Sequence, residues 1–385
     1  MKAKSIKGKS PEEIKIALAE SLADGFKPTL AVVFISVKQD RTAVCNILQS
    51  EGIDVFGATS SGEFTNGYQD EGTMVVLLLD LNRELYTILF ETIGADSIKE
   101  ASTRIATGAL EKFEQPTLIV CSTGLTDKGE FFDGETLVHT LESVLGKSTT
   151  FFGGMAGDDR LLSCTYVFTH NNETNFGITA LVLDGSKVQL QGMAITGWQP
   201  VGIARTITKS NGNLLYTIDD QPAVDMYLRY LGKQGMEEIT GFNLMEDVSM
   251  HYPFLLAKEK GEPAPRTPLK IDQSENALVC DLDMPQGEKI WFSMPPDLDI
   301  AETIVGEAEK IKQAALPEAD ALLIFSCAGR INVLGPLVSS ENEGLSDVWK
   351  VPMVGFFTYG EYGRALDRNQ EFHSGACLWV ALKEK

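Results

Sequence analysis

The stretch V-P-M-V-G-F-F-T-Y-G-E-Y-G-R, residues 351–364, decides the fold prediction for this chain. It is an apolar strand pattern that is interrupted by Gly355 and ends in a glycine followed by a carboxylate, Glu361. The same arrangement occurs as V-F-G-A-T-S-S-G-E at residues 55–63 and as F-F-G-G-M-A-G-D-D at residues 151–159. Three copies of one strand ending indicate an internal repeat.

Each copy follows the same order of predicted elements. Amphipathic helices are predicted at residues 11–23, 97–113 and 301–315, and an apolar strand follows each of them. The first helix begins with a capping box, because Ser10 and Glu13 stand three residues apart at its start. Since another apolar run follows each glycine-carboxylate motif, the repeating unit is helix, strand, connection, strand, motif and strand.

The spacing of the copies indicates how many units the chain holds. Gly153 lies 96 residues after Gly57, whereas Gly355 lies 202 residues after Gly153. A missing or degenerate fourth unit would fit between residues of about 200 and 300. The predicted fold class is therefore α/β, with two pseudo-equivalent halves built from duplicated helix-strand-strand units. We expect mixed β-sheets that pack together and are covered by helices.

The segment between the second and third copies has a different pattern. Asn211-Gly212 between two short apolar runs predicts a β-hairpin, and residues 222–232 predict a helix that is opened by a proline and closed by a glycine. Residues 258–268 have the composition of a solvated loop. Residues 277–292 are predicted to form a second hairpin.

The composition argues against several classes of protein. The chain has 385 residues, with 33 lysines and arginines against 54 aspartates and glutamates, so its net charge is −21. Such a charge repels phosphate backbones and anionic membranes, so we expect neither general nucleic-acid binding nor membrane insertion. No secretory apolar segment and no run of 18 apolar residues occurs, which predicts a cytoplasmic protein. The six cysteines contain no C-x-x-C pair, which indicates neither a structural zinc site nor a disulfide framework.

The usual nucleotide and hydrolase signatures are missing from the sequence. Two G-K-S triplets, at residues 8–10 and 146–148, lack the upstream glycine of a P-loop, since Ala3 and Leu141 stand there. There is no G-x-S-x-G elbow, no G-x-G-x-x-G after a strand and no H-E-x-x-H. The four histidines lie too far apart in sequence for a local two-histidine metal site.

The glycine-carboxylate motifs place Glu63, Asp158 and Glu361 at the ends of strands, where two roles are open. Glycine lets the backbone approach a ligand closely, and a neighbouring carboxylate can receive a ligand amine. The same carboxylate can instead cap a turn within its own repeat. We treat all three as candidate ligand-binding residues.

The third copy offers the largest set of polar side chains. Cys327 and Arg330 end one predicted strand, and Tyr359 and Glu361 end the next, so that adjacent strands would bring them to one cleft. Arg330 could bind a ligand carboxylate while Glu361 receives an ammonium group, or the two could form an ion pair that holds the domain together. An enzyme would use Cys327 as the nucleophile and His373 as the base, but no carboxylate is positioned to orient that histidine.

The chain resembles the FIST family, the F-box and intracellular signal transduction proteins. The matching stretches are the three motifs above and the segments T-I-T-K-S-N-G-N-L-L-Y-T-I-D-D-Q-P-A-V-D-M-Y-L-R-Y-L-G, L-I-F-S-C-A-G-R and E-F-H-S-G. Their number, order and spacing make the resemblance specific, and they cover most of the chain from about residue 29 onward. The resemblance implies an N-terminal FIST domain at residues 1–219 and a C-terminal FIST domain at residues 220–385.

The resemblance implies a role in signalling and no reaction. It implies a cytoplasmic sensory module that binds a small molecule, for which amino acids have been proposed. Such a module reports to a histidine kinase, a cyclic-dinucleotide enzyme or a chemotaxis receptor, and because no output domain is recognisable we expect a separate partner protein. His373 lies in the F-H-S-G segment of the family pattern, so it is expected to line the ligand site or to be structural. At Ala376 the chain departs from the hydroxyl residue that the pattern leads us to expect.

Haem is the candidate cofactor that the resemblance adds. Some bacterial members resemble haem-based nitric oxide sensors that regulate a histidine kinase, and such a sensor needs an axial histidine. His251, in the segment M-H-Y-P-F, is the candidate for that ligand, and an ordinary loop histidine is the alternative. Three classes therefore stay open: an amino-acid-type sensor, a haem sensor and an enzyme that depends on Cys327.

Overall fold

The computed structural model describes residues 1–235, 241–258 and 261–385. They form two compact units that alternate along the chain, so neither unit is one continuous stretch. Unit 1 comprises Met1–Ile195, Asp299–Arg330 and Pro336–Lys385, and unit 2 comprises Thr196–Leu298 and Ile331–Gly335. The predicted family boundary between residues 219 and 220 is a different division of the chain, and it stays a prediction.

The predicted helices of the three repeats are confirmed to within one residue at each end. Ser10, Asp40, Ser97 and Asp133 precede the first four helices, and each side chain accepts a backbone N–H there. The helices in the described residues are α1 (Pro11–Leu22), α2 (Arg41–Ser50), α3 (Ile98–Lys112), α4 (Gly134–Leu145), α5 (Ala223–Tyr230), α6 (Ile300–Ala314), α7 (Gly329–Leu334) and α8 (Val338–Trp349).

Most strands belong to three repeats, and the others lie in unit 2. The strands of repeat 1 are β1 (Lys2–Gly8), β2 (Leu30–Ser36), β3 (Asp54–Ser60), β4 (Glu63–Thr65), β5 (Tyr68–Asp70) and β6 (Met74–Asp80). The strands of repeat 2 are β7 (Tyr86–Thr92), β8 (Pro116–Ser122), β9 (Phe151–Met155), β10 (Val167–Thr169), β11 (Glu173–Thr174) and β12 (Gly177–Asp184).

Repeat 3 is divided along the chain by the strands of unit 2. It begins with β13 (Val188–Ile195). Unit 2 then contributes β14 (Gln199–Asn211), β15 (Leu214–Ile218), β16 (Gln221–Pro222), β17 (Phe254–Leu256), β18 (Ala264–Arg266), β19 (Pro268–Asp272), β20 (Ala277–Cys280) and β21 (Lys289–Met294). Repeat 3 resumes with β22 (Ala321–Cys327), β23 (Met353–Thr358), β24 (Glu361–Arg364), β25 (Gln370–His373) and β26 (Cys377–Glu384).

Unit 1 consists of three sheets of six strands that share one strand order. The orders are β1-β6-β2-β3-β10-β11, β7-β12-β8-β9-β24-β25 and β13-β26-β22-β23-β4-β5. In each sheet the third and fourth strands are parallel, and the other pairs are antiparallel. The first four strands come from one repeat, whereas the last two are a short hairpin from another repeat.

The hairpins are exchanged in a closed cycle. The hairpin of repeat 2, β10–β11, extends the sheet of repeat 1, and the hairpin of repeat 3, β24–β25, extends the sheet of repeat 2. The hairpin of repeat 1, β4–β5, extends the sheet of repeat 3. The glycine-carboxylate motifs lie where the chain leaves its own sheet, which explains why a strand pattern ends there.

Aromatic side chains on the exchanged strands explain the glycine in two of the motifs. Phe168 pairs with Gly57, and a Cβ added at Gly57 would lie 2.3 Å from the Phe168 ring. Phe64 likewise pairs with Gly355, where an added Cβ would lie 2.1 Å from its ring. Tyr362 is the register partner of the third glycine, Gly153. Gly57 and Gly355 therefore leave room for a ring that arrives from another repeat, whereas an added Cβ at Gly153 would meet the backbone of Val120.

The inner faces of the three sheets share one apolar core. That core includes Phe34 and Phe56 from the first sheet, Phe152 from the second, and Phe325 and Phe356 from the third. The outer face of the first sheet packs on α1 and α2, and that of the second packs on α3 and α4. The predicted α/β class, with mixed sheets packed together and covered by helices, is confirmed.

Two predictions about the repeats need correction. The polar connections between paired strands contain the helices α2, α4 and α8, which the sequence pattern did not reveal. The extra length before the third motif is also no fourth copy of the unit, since residues 196–298 form most of unit 2 where they are described. Their order of elements is different, because the described part is mostly strands with one helix of eight residues, α5.

The hairpin at Asn211-Gly212 in unit 2 is confirmed, because β14 pairs with β15 across it, and the predicted helix is α5. The hairpin predicted at residues 277–292 is wrong, since β20 pairs with β15 and β19 whereas β21 pairs with β14 and β17. The loop predicted at residues 258–268 contains β18 and the start of β19. Its residues 259 and 260 lie outside the described residues.

The exchange predicts a coupling between Gly57 and Phe168. Gly57→Ala should lower the free energy of unfolding by about 1–3 kcal/mol, because the added methyl group overlaps the Phe168 ring. Phe168→Ala removes the ring, so the double variant should lose clearly less than the sum of the two single changes. Chemical denaturation measures all four free energies.

Gly306→Ala is the matched control for this cycle. Gly306 lies in α6, and an added Cβ there would meet nothing within 4 Å, so the change should stabilise the protein by about 0.5–1 kcal/mol. Additive losses at Gly57 and Phe168 would contradict the proposed contact between the exchanged strand and the glycine.

Candidate functional site

The three motif turns of unit 1 bind one another through backbone hydrogen bonds. Each turn donates to or accepts from a turn of another repeat, at the carboxyl ends of the parallel strands. The bonds are Gly157 N to Thr59 O at 2.9 Å, Ser61 N to Phe357 O at 2.9 Å and Met155 N to Gly360 O at 2.8 Å. Ligands of open α/β sheets bind at such strand ends, so this ring of turns is the candidate site.

The three turns are aligned by their glycines, and each has an acidic residue at the same distance along the sequence. Gly57, Gly153 and Gly355 pair with Val33, Val120 and Ile324 at the same position of each parallel pair of strands. The residue six positions after the glycine is Glu63 in repeat 1, Asp159 in repeat 2 and Glu361 in repeat 3. The register of the exchanged strands is different, because Phe64, Phe168 and Tyr362 each pair with a motif glycine, so Val167 is the structural equivalent of Glu63 and Glu361. Asp159 lies in the loop that repeat 2 adds before Val167. Asp158, which the sequence pattern had singled out, stands one position earlier.

Glu63 is fully buried and binds its own repeat with both oxygens. Ser60 Oγ donates to Oε1, while the N–H and the hydroxyl of Thr73 donate to Oε2 at 2.9 and 2.8 Å. Burial raises the pKa of Glu63 to about 7, although these hydrogen bonds partly oppose the shift. The carboxyl group therefore closes the turn of repeat 1.

Glu361 has the same role in repeat 3. It is fully buried, Thr358 Oγ1 donates to Oε1, and the N–H of Ala376 donates to Oε2 at 3.0 Å. Burial raises its pKa to about 8. Ala376 is equivalent to Thr73, because the main-chain oxygen of Thr73 accepts the N–H of Ser36 and that of Ala376 accepts the N–H of Cys327, which ends the matching strand. Thr73 also donates its hydroxyl to Glu63, and because alanine has no hydroxyl Glu361 has one donor fewer.

Asp158 holds a loop of repeat 2, Asp158–Cys164, which we call the Asp158 loop. Its carboxylate accepts the N–H groups of Leu162, Ser163 and Cys164 at 3.0, 2.6 and 2.9 Å. The hydroxyl of Tyr359, which comes from repeat 3, donates to the same carboxylate. Two predicted site residues, Asp158 and Tyr359, are thus brought together.

The contacts of Asp159 differ from those of Glu63 and Glu361. Its Oδ2 accepts a hydrogen bond from Ser36 Oγ at 2.8 Å and lies 3.0 Å from the ammonium group of Lys38. Its Oδ1 is buried and has no hydrogen-bond partner. Repeat 2 has Val167 in the place of Glu63 and Glu361, and it also lacks the hydroxyl donors of Ser60 and Thr73, which Ala156 and Gly177 replace.

The backbone of this loop is unusual as well. Asp159, Arg160 and Leu162 all have left-handed conformations, with φ of 55°, 63° and 50°, which residues other than glycine adopt rarely. Arg160 lies beside the site, where its N–H donates to Ser61 Oγ at 3.3 Å and its guanidinium pairs with Glu71 at 2.7 Å. We call Asp159, Ser36, Lys38, Asp158 and Tyr359 the Asp159 site.

The predicted ion pair between Arg330 and Glu361 is not formed. Arg330 is fully buried, and its guanidinium binds Glu341 of α8, with Nε 3.0 Å from Oε2, and the main-chain oxygen of Gly375 at 2.7 Å. Sequence reasoning missed Glu341 because a helix was not expected in that connection. Removal of Arg330 would leave the Glu341 carboxylate buried without its partner, a change that typically costs about 3–5 kcal/mol.

Cys327 and His373 lie on strands beside Glu361, but the described contacts do not join them as nucleophile and base. Burial, with the nearby charge of Glu361, raises the pKa of the Cys327 thiol to about 12, which disfavours the reactive thiolate. His373 is the register partner of Glu361, and its Nε2 lies 3.2 Å from the main-chain oxygen of Gly363. The arrangement gives no support to catalysis by Cys327.

His251 lies in unit 2, after a short π-helical turn at Met245–Ser249. Its main-chain oxygen accepts the indole N–H of Trp198 at 3.1 Å, and its ring lies 6.2 Å from that of Tyr252. No buried polar atom without a partner occurs beside it among the described residues. Haem binding through His251 stays an untested prediction.

The described residues contain no cluster of three or more histidine, cysteine or acidic side chains that could hold a metal ion. None of the helices in the described ranges is both long and apolar enough to cross a membrane.

Comparison with known protein families agrees with this α/β architecture of repeated units. A family model for the FIST N domain matches residues 29–221, and a model for the FIST C domain matches residues 223–364. Together they cover most of the chain, so this protein belongs to the FIST family of sensory signal transduction domains. No curated protein gives a significant match.

The buried carboxyl groups predict a specific dependence of stability on pH. The folded pKa values of Glu63 and Glu361, about 7 and 8, lie above the ordinary value of 4.5. Their stabilising contribution is therefore complete below about pH 4.5 and is lost as the pH rises through 7 and 8. Glu63→Gln mimics the neutral form, so its free energy of unfolding relative to the parent should rise with pH by up to about 3 kcal/mol.

Urea denaturation between pH 4.5 and 8 measures this difference. Glu20→Gln, at an exposed position of α1, is the control and should follow the parent at every pH. A difference between Glu63→Gln and the parent that does not change with pH would show that the carboxyl group is ionised throughout.

Proposed function

We propose that this FIST protein is a sensory protein that binds a small ligand at the Asp159 site and acts through a separate output partner. The family match supports sensing and signal transduction. The position of the site rests on the contacts of Asp159 and on their difference from those of Glu63 and Glu361.

The observation that carries the proposal is the free carboxylate oxygen of Asp159. A buried polar atom without a partner costs about 1–3 kcal/mol, and more when its group is charged. Glu63 and Glu361, the buried acids of the other two turns, have partners for both oxygens. Only one of the three turns thus keeps an unused acceptor, as expected where two turns serve the fold and the third serves a ligand.

Two further features support this location. Ser36 ends β2, and Lys38 follows it, so the site lies at the carboxyl end of a strand in a mixed sheet, where open α/β sheets bind ligands. The left-handed backbone at Asp159 and Arg160 is unfavourable for these residues, and such strain is concentrated at functional sites.

The other predicted ligand contacts remain proposals at a second location. Arg330, Glu361, Cys327 and His373 lie at the strand ends of repeat 3, where Glu361 and Arg330 already bind protein groups. Glu63 lies close enough for the charge of Asp159 to raise its pKa further, after the larger effect of burial. A ligand at the Asp159 site would therefore alter the environment of Glu63.

The identity of the output partner is also part of the proposal. Histidine kinases, cyclic-dinucleotide enzymes and chemotaxis receptors are the classes that the family relation suggests, in the cytoplasm. An amino acid is the first ligand class to test, because it carries an ammonium group that a free carboxylate oxygen can bind. Haem is tested alongside it by the absorbance spectrum of the protein after addition of haemin.

The proposal predicts that Asp159→Asn weakens ligand binding at least about tenfold, since a hydrogen bond to a charged group is lost. The experiment is a thermal-shift screen of amino acids, amines and small carboxylates, followed by calorimetry of each ligand found. The melting temperature of the variant should stay near that of the parent, because the Lys38 pair at Asp159 is a partly exposed one.

Glu361→Gln is the matched control, because it changes the buried carboxyl group of the motif turn of repeat 3. It should leave the affinity near that of the parent. Loss of binding in Glu361→Gln with full binding in Asp159→Asn would move the site to the strand ends of repeat 3. A Soret band that is lost in His251→Ala would instead identify a haem sensor.

A further inference from the structure

Lys38 is held at the Asp159 site by one contact of its ammonium group. Its Nζ lies 3.0 Å from Asp159 Oδ2, while its side chain is 65% exposed and that of Asp159 is 4% exposed. The backbone N–H of Lys38 donates to Ser36 Oγ at 3.1 Å, which fixes the main chain beside the carboxylate. The buried carboxylate of Asp159 is thus contacted by the ammonium group of a side chain that is largely exposed to solvent.

The charges around the site favour a cation over an anion. Asp158 and Asp159 are adjacent, and Glu71 lies next to them through its ion pair with Arg160. Because Arg160 is bound to Glu71 and Lys38 is bound to Asp159, the two nearby cations are already engaged. A ligand anion would meet the two aspartates, whereas a ligand cation would be attracted by them.

The chemistry of the free oxygen narrows the choice of cation. Asp159 Oδ1 is a hydrogen-bond acceptor, and the described residues hold no cluster suited to a metal ion, so we expect its partner to carry an N–H or O–H donor. An ammonium group has three donors on one small atom, and it could bind both oxygens of Asp159 and the hydroxyl of Ser36 from a single position. A quaternary ammonium has the charge without a donor, and the guanidinium group is a larger planar fork.

We propose that the ligand presents a primary ammonium group to Asp159 and displaces the ammonium group of Lys38, which occupies the site when no ligand is bound. This inference rests on the proposed function and names the ligand chemistry of the same site. Lys38 is then a built-in competitor that sets the affinity for amines. Partly exposed ion pairs of this kind are weak, so a ligand can displace it.

The probe for this inference is n-propylammonium chloride, titrated by calorimetry into the full-length protein at constant ionic strength. Removal of the competitor in Lys38→Met should raise the affinity about two- to fivefold. Tetramethylammonium chloride has the charge but no donor, and it should not bind. The double variant Lys38→Met, Asp159→Asn should lose the binding of propylammonium.

Lys9→Met is the matched control, because Lys9 is also ion-paired, with Asp70 at 2.7 Å, and is 63% exposed. It makes the same change of charge at a different place in unit 1 and should leave the affinity unchanged. Lys38→Gln gives a second, polar variant for comparison, and its affinity should rise in the same way.

Three results would overturn the inference: weaker or unchanged binding of propylammonium in Lys38→Met, equal binding of tetramethylammonium, or no binding of propylammonium to either protein. If a ligand without an ammonium group binds in a way that requires Asp159, only the ammonium inference fails and the Asp159 site stands. If no ligand requires Asp159, the proposed function fails with it.

Discussion

The exchange of hairpins among the three repeats is the interaction on which the rest of unit 1 depends. Each repeat gives its short hairpin to another sheet, and an aromatic side chain then fills the space that a glycine leaves open, as Phe168 does at Gly57 and Phe64 at Gly355. The exchange brings the carboxyl ends of the parallel strands into direct hydrogen-bonded contact. The turns that make the fold are therefore also the turns available to a ligand, as is common at strand ends of α/β sheets.

The three turns differ in how their acidic residues are bound, and this difference distinguishes a structural role from a proposed functional one. In two of them a buried glutamate binds a hydroxyl and an N–H of its own repeat, and it holds the turn closed. In the third, Asp158 takes over that role by binding the Asp158 loop, and Asp159 is released toward Ser36 and Lys38. Because Asp158 binds the loop of repeat 2, the neighbouring Asp159 is not needed for that structural role.

The sequence reveals the local parts of this structure and not the pairings between repeats. Helices such as α3 follow from capping and periodicity, which are local signals. The strands β4, β10 and β24 have only three or four residues, and their pairing depends on partners far away in sequence, which no local pattern encodes. Asp159 was missed because Asp158 stands beside the glycine and looks like the matching acid, whereas the contacts of Asp159 with Ser36 and Lys38 come from a different repeat and follow no local pattern. Arg330 was assigned to Glu361 because its partner Glu341 lies on the unexpected helix α8.

The central claim is that one of the buried carboxyl groups at the three motif turns is left open for a ligand, and a high-resolution crystal structure grown with n-propylammonium chloride tests it most directly. The account predicts density for the ammonium group within hydrogen-bond distance of Asp159 Oδ1, with Lys38 turned away, and protein partners only at Glu63 and Glu361. A protein donor bound to Asp159 Oδ1, or the ligand bound beside Arg330 and Glu361 instead, would contradict it.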